Sequence, residues 1–280
     1  MIGSTAVVLD SACYLPGHVI ARYGAVVVPL TVAVNGVAHR EFEDIDTTLF
    51  YARLAAGDSV TTSQPPPGRF IDAYTRAARD GAERVLSIHI GSNVSGTVNS
   101  ARVAARESPI PVHIVDTGQA SFVEGLCAWE AMEALAGGAS IGAAEAAAHR
   151  ASAASGNVFV VRGTELLERG GRYVAGEPVT GVPVLAMIDG AVRPIGSAAT
   201  VEEAMQAMTG HVAAALAAHP GKQFRIGVSN GAADELAEQL EWRIRELAPR
   251  AEVMQYEIGP AVGAHTGPGC TGAVFLPRPV

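Results

Sequence analysis

The sequence predicts an α/β protein of two α/β domains, the first on a mainly parallel sheet and the second on a mixed one. In the first half, apolar runs of strand length alternate with helical patterns, as in doubly wound parallel sheets. In the second half, two strands are joined by a tight turn at Asp189-Gly190, an antiparallel signal, before alternation resumes. The change of pattern puts the boundary near Ser155, giving domains at 1–155 and 156–280.

Taken in order, "TAVVLD" (5–10) is a short buried strand ending in Asp10-Ser11. "GAVVVPLTVAVNGVAHRE" carries Asn35-Gly36 between apolar runs, a hairpin signal because both residues tolerate positive φ. Asp46 is a suitable N-cap for the helix "TTLFYARLAAG". The proline run of "TTSQPPPG" (61–68) excludes helix and central strand, which predicts an ordered loop. A helix (69–80), a strand (84–90), the loop "GSNVSGT" (91–97), a helix (95–107) and a strand (111–116) follow, and helical pattern fills most of 119–155. Beyond it come a strand (157–161), the short helix "TELLERGG" closed by glycines, and the hairpin 182–195. A helix (200–218), a strand (224–229), a helix (231–247) and strands at 252–258 and 272–276 complete the chain.

Composition removes several functions. Of 280 residues, 49% are hydrophobic and 5% aromatic, so the core is mostly Ala, Val, Leu and Ile. A net charge of −8 without a basic stripe argues against nucleic acid, and no polybasic segment suits a membrane surface. The N-terminal "MIGSTAVVLDS" lacks a charged region and a long apolar stretch, so no signal peptide is expected. Cys13, Cys127 and Cys270 are scattered and never in C-x-x-C, which fits a reducing cytoplasm. The histidines show no metal-binding spacing, and neither metal nor cofactor is expected.

Four loops rich in glycine and small hydroxyl residues could carry chemistry: "DSACYLP" (10–16), "TTSQPPPG" (61–68), "GSNVSGT" (91–97) and "IGPAVGAHTGPG" (258–269). Open α/β sheets bind ligands beyond the carboxyl ends of their strands, where glycines admit the ligand and helix N-termini offer N–H donors. The pattern of Gly91 to Thr97 is G-x-x-x-x-G-T, a phosphate loop without its lysine. That loss, with no acidic partner for magnesium, excludes a nucleotide site. No G-x-S-x-G elbow supports a serine hydrolase, and turn chemistry or helix capping explains each loop taken alone.

Together, these four loops resemble the DegV family, fatty-acid-binding proteins that include the lipid-carrying subunit of bacterial fatty acid kinase. "TSQPPPG" is similar to the family's T-S-Q-P-S-P-G, and "IGPAVGAHTGPG" to I-G-x-x-I-G-x-H-x-G-P-G. "LDSACYLP", "GSNVSGTVNSA" and "LLERGGR" (166–172) match further family motifs, so the likeness spans nearly the whole chain. It implies a long-chain fatty acid between two domains, its tail in an apolar tunnel. The carboxylate is then held by Thr62, Ser63 and Ser92, with His265 nearby. The resemblance also implies a non-catalytic carrier that offers its lipid to a separate kinase for acyl-phosphate formation, with transient membrane contact. Two departures stand out. Gly91 replaces a serine of the usual S-S pair, and "DGAVRPIGSAATVEEAM" keeps only Arg193 where kinase-partnered members carry several basic residues. Docking is thereby assigned to Arg172 and Arg193. The alternatives are an acyl-substrate enzyme using Ser92 and His265, or a lipid sensor without a kinase partner.

Overall fold

A computed structural model describes residues 1–174 and 181–278. In chain order its early elements are β1 (Thr5–Asp10), α1 (Gly17–Tyr23), β2 (Val26–Val28), β3 (Thr31–Val34), β4 (Val37–Arg40) and α2 (Thr47–Ala55). Then come β5 (Val60–Ser63), α3 (Pro67–Arg79), β6 (Arg84–His89), α4 (Thr97–Ala105), β7 (Val112–Asp116), α5 (Phe122–Ala136) and α6 (Ile141–Ala154). The remainder comprises β8 (Gly156–Val160), α7 (Glu165–Arg169), β9 (Val182–Ile188), β10 (Ala191–Ala198) and α8 (Val201–Ala218). It ends with β11 (Gln223–Gly231), α9 (Asp234–Leu247), β12 (Glu252–Glu257), α10 (Pro260–Thr266) and β13 (Cys270–Arg278). Two compact units form, Met1–Ile45 with Thr61–Ala153 and Asp46–Val60 with Ala154–Val280. They are therefore not two consecutive halves of the sequence.

The first unit holds a four-stranded sheet in the order β2-β1-β6-β7, parallel throughout. Its central strand β1 is buried at every residue, as a parallel strand covered on both faces must be. Leu9 pairs with Ile88, and Ile88 with Val115, which brings the ends of three strands together. One core face packs Val8, Val28 and Val85 against Phe70 and Tyr74 of α3 and Ala101 of α4. A second, three-stranded sheet runs β4-β3-β5. Its hairpin turns at Asn35 and Gly36, both at positive φ (50° and 80°), the left-handed pair that a two-residue hairpin needs.

The second unit has a six-stranded sheet, β10-β9-β8-β13-β11-β12, in which β11 and β12 are parallel and the other pairs antiparallel. Met205 and Met208 of α8 and Leu240 and Ile244 of α9 pack on Val158, Ile226 and Phe275. Thus the parallel and mixed sheets expected from the sequence are present. The proline run departs from expectation at both ends: Val60–Ser63 forms an edge strand, and Pro67 opens α3. The second placement suits proline, since the first turn of a helix leaves the N–H it lacks unused. The helical pattern of 119–155 resolves into α5 and α6, interrupted at Gly137-Gly138. No helix among the described residues is long and apolar enough to cross a membrane.

Candidate functional site

In the first unit, a single buried carboxylate ties two of the motif loops together. Asp10, at the end of β1, accepts hydrogen bonds from the backbone N–H of Ala12 (3.1 Å) and of Ile90 (3.0 Å). Its Oδ2 also lies 3.2 Å from Nδ1 of His89, whose Nε2 is 2.6 Å from the Ser87 hydroxyl. The Tyr74 hydroxyl, 2.8 Å from Ser87, closes the chain. "DSACYLP" and "GSNVSGT" therefore leave the sheet in a fixed relation.

Beyond Ile90 the second loop turns back on itself, the N–H groups of Val94 and Ser95 each donating to the carbonyl of Gly91 at 3.1 Å. The hydroxyls of Ser95 and Thr97 lie 2.8 Å apart where α4 begins. Asp116, ending β7, accepts from the N–H groups of Ser92 and Gly118 at 3.1 Å each. Burial alone would raise its pKa, but hydrogen bonds from the Ser92 hydroxyl and from both backbone groups, with Arg102 nearby, hold it below the usual carboxylate value. Ser92, exposed at the loop tip, is thus anchored by a neighbouring acid.

A side chain at Gly96 would collide with that of Gln64, so "TSQ" and the start of α4 are in direct contact. Thr62 is half-buried and Ser63 exposed on β5 just before that contact. The structure therefore places Thr62, Ser63 and Ser92 on adjoining motif loops of one unit. It also accounts for Gly91: a Cβ there would lie 2.7 and 2.8 Å from the carbonyl carbon and Cα of Gly118, and would strike Oδ1 of Asn93. The hydroxyl is absent because the backbone leaves it no room.

His265 belongs to the second unit, on α10, with Nδ1 only 2.5 Å from where a Cβ on Gly170 would stand. Burial first, and the charge of Arg172 second, push its pKa down to about 4, so the ring is neutral at physiological pH. Arg172 donates to the carbonyl of Gly170. Its own carbonyl accepts from Val192 N at 3.0 Å, which puts it beside Arg193, exposed on β10. His265, Arg172 and Arg193 thus share one neighbourhood of the second unit. From below, α10 is braced by α2, where the buried Tyr51 donates its hydroxyl to the carbonyl of Ile258 at 3.1 Å.

Sequence reasoning missed Asp116 and Gln64, although Asp116, like Asp10, ends a strand, and an Asp two residues before a glycine is itself a turn signal. Among the described residues, no group of three or more His, Cys, Asp or Glu side chains could hold a metal ion.

Comparison with known proteins finds relatives along almost the whole chain. The family model described as "Uncharacterised protein, DegV family" matches residues 4–278. A DegV domain-containing protein of Streptomyces coelicolor is 36% identical over 279 residues, covering 98% of both chains. Among solved structures, a DegV family protein from Thermus thermophilus described as fatty acid binding superposes with a TM-score of 0.90 at 32% identity. The match covers 98% of this chain and 99% of that one. A Thermotoga maritima protein, said to reveal fatty acid binding function, gives 0.84 at 26% identity, with 98% and 99% covered.

Proposed function

The chain belongs to the DegV family, and from that premise we propose that it is a fatty-acid-binding carrier. The observation that carries the reading is the likeness, over almost the whole chain, to the Thermus protein described as fatty acid binding. The local chemistry suits it. Thr62, Ser63 and Ser92 offer hydroxyls and the surrounding loops offer N–H groups, which satisfy a carboxylate without an ion pair. Each buried CH₂ is worth about 0.8 kcal/mol, so a tail of ~16 carbons supplies most of the affinity and the head group need only avoid a desolvation penalty. His265 serves as a neutral polar partner.

In this reading the bound carboxylate is presented to a separate kinase that supplies ATP and magnesium. Arg172 and Arg193, from neighbouring segments of the second unit, are the docking cations in this reading. Charge-assisted contacts of this kind set position and rate more than total affinity. One feature argues against an acyl-transferring enzyme: a histidine titrating at about 4 is a weak general base at neutral pH.

Mass spectrometry of the purified protein tests the proposal. A stoichiometric long-chain fatty acid released on denaturation is expected. A covalent acyl adduct, or ATP consumption by the protein alone with fatty acid, would refute it.

A further inference from the structure

Glu124, in the first turn of α5, plays no part in the site described above, yet its environment is an unusual one for a carboxylate. It is completely buried (0% exposed), and neither carboxylate oxygen has a hydrogen-bond donor. Two further buried carboxylates stand close by, Asp10 and Glu41. Both are already supplied with donors. Asp10 takes the N–H groups of Ala12 and Ile90, and Glu41 takes the hydroxyls of Ser11 and Tyr14. The approach is forced by packing, since α5 lies so close to residues 11–13 that a Cβ on Gly125 would run into the carbonyl of Cys13.

An ionised Glu124 would be a third negative charge in a dry interior and, unlike the other two, one with no donor, which is strongly unfavourable. A neutral carboxyl has an O–H to give, and an acidic neighbour such as Asp10 can accept it. We propose that Glu124 is kept as a neutral carboxylic acid that shares its proton with Asp10, and that it thereby acts as a positioning residue for the loop bearing Ser92. The connection is short: Glu124 holds Asp10, Asp10 holds the N–H of Ile90, and Ser92 follows two residues later.

The acids and thiols packed around it point the same way. Burial, then the charge of Asp10 and the hydrogen bond to it, then Glu41, raise the Glu124 pKa well above 4.5. The Cys13 and Cys127 thiols are pushed up as well, by burial first and by Glu124 second, and stay neutral. His89 faces Asp10 from β6 on the other side. A raised acid pKa stabilises the fold fully below the unfolded value, and that stability is lost as pH rises through the folded one.

This inference rests on the fatty-acid reading only for its effect on ligand, so the test separates the two. It uses the whole chain, with cis-parinaric acid, a fluorescent long-chain fatty acid, as probe. Infrared difference spectra of wild type against Glu124→Gln should show, at neutral pH, a neutral-acid carbonyl band that the variant lacks. Its absence overturns the proposal. Glutamine still offers Asp10 a donor, so the Ile90 amide should keep its slow exchange and probe affinity should stay within about twofold. The same variant should lose the decline in stability that the wild type shows above pH 4.5. Glu124→Met offers no donor. Ile90 should then exchange faster and the probe should bind about tenfold more weakly, the loss expected for one charge-assisted bond. Wild-type exchange and affinity in Glu124→Met overturn the positioning role. If that variant does not fold, the Glu124→Gln spectra and exchange still decide. A wild type that takes up no probe refutes the proposed function, while the infrared band and Ile90 exchange continue to judge this inference.

Discussion

Replacing His265 with glutamine removes one titration while keeping a polar side chain, and the structure fixes the consequence. The imidazole falls from an ordinary value of 6.5 to about 4 because burial and Arg172 both penalise its cationic form. The sign follows from the depressed base. The folded state refuses a proton that the unfolded chain accepts, so the stabilisation is complete above pH 6.5 and disappears as pH falls toward 4. At about 1.4 kcal/mol for each pK unit, the full span is worth roughly 3 kcal/mol, and partial exposure of the ring trims it. Between about pH 7.5 and about pH 5, some 2 kcal/mol should be lost by wild type and not by His265→Gln. Urea unfolding of both proteins at the two pH values reads this as a double difference, which cancels every other titrating group. Equal pH dependence in the two proteins would show that His265 is not held neutral and that its packing against Gly170 and Arg172 is wrongly described.

Three other substitutions probe the loops. Gly91→Ser, which restores the usual family residue, should destabilise the protein by about 1–3 kcal/mol through overpacking against Gly118; a thermal midpoint equal to wild type would contradict the steric account. Thr62→Ala should weaken fatty acid binding by about 1–3 kcal/mol at unchanged folding stability, measured by probe titration, and an unchanged Kd removes Thr62 from the head-group set. Arg193→Ala should leave lipid binding intact while slowing acyl-phosphate formation with a partner kinase. A normal transfer rate removes Arg193 from the docking surface.

Much of the fold was legible because its signals are local. Asp46 caps α2 through Leu49 N as its residue type and position suggested. Asn35-Gly36 and Asp189-Gly190 turn their hairpins with positive φ at each residue. What escaped was set by distant partners. The strand at Val60–Ser63 exists because β3 offers an edge, and no periodicity in four residues followed by prolines announces that. Glu124 was invisible for the opposite reason: an acid in the first turn of a helix ordinarily signals a solvated end, and only the packing of residues 11–13 turns it inward. The vacancy at Gly91 read as a missing hydroxyl, whereas its cause, the backbone of Gly118, lies 27 residues away in a different loop.

The bracing of α10 by α2 has a consequence for synthesis. Tyr51 and Ile258 are 207 residues apart, so at about 5–20 residues per second the ribosome delivers α2 at least ten seconds before the segment it supports. During that interval the side chains of Phe50 and Tyr51, buried in the finished protein, have no native neighbours from β11 or α10. A nascent chain in this state presents an aromatic pair to whatever holdase is at hand. A fragment that starts at 156 would be born without the helix it needs. Supplying a peptide covering residues 46–60 in trans should recover the fold of such a fragment, much as a missing strand is donated in complementation.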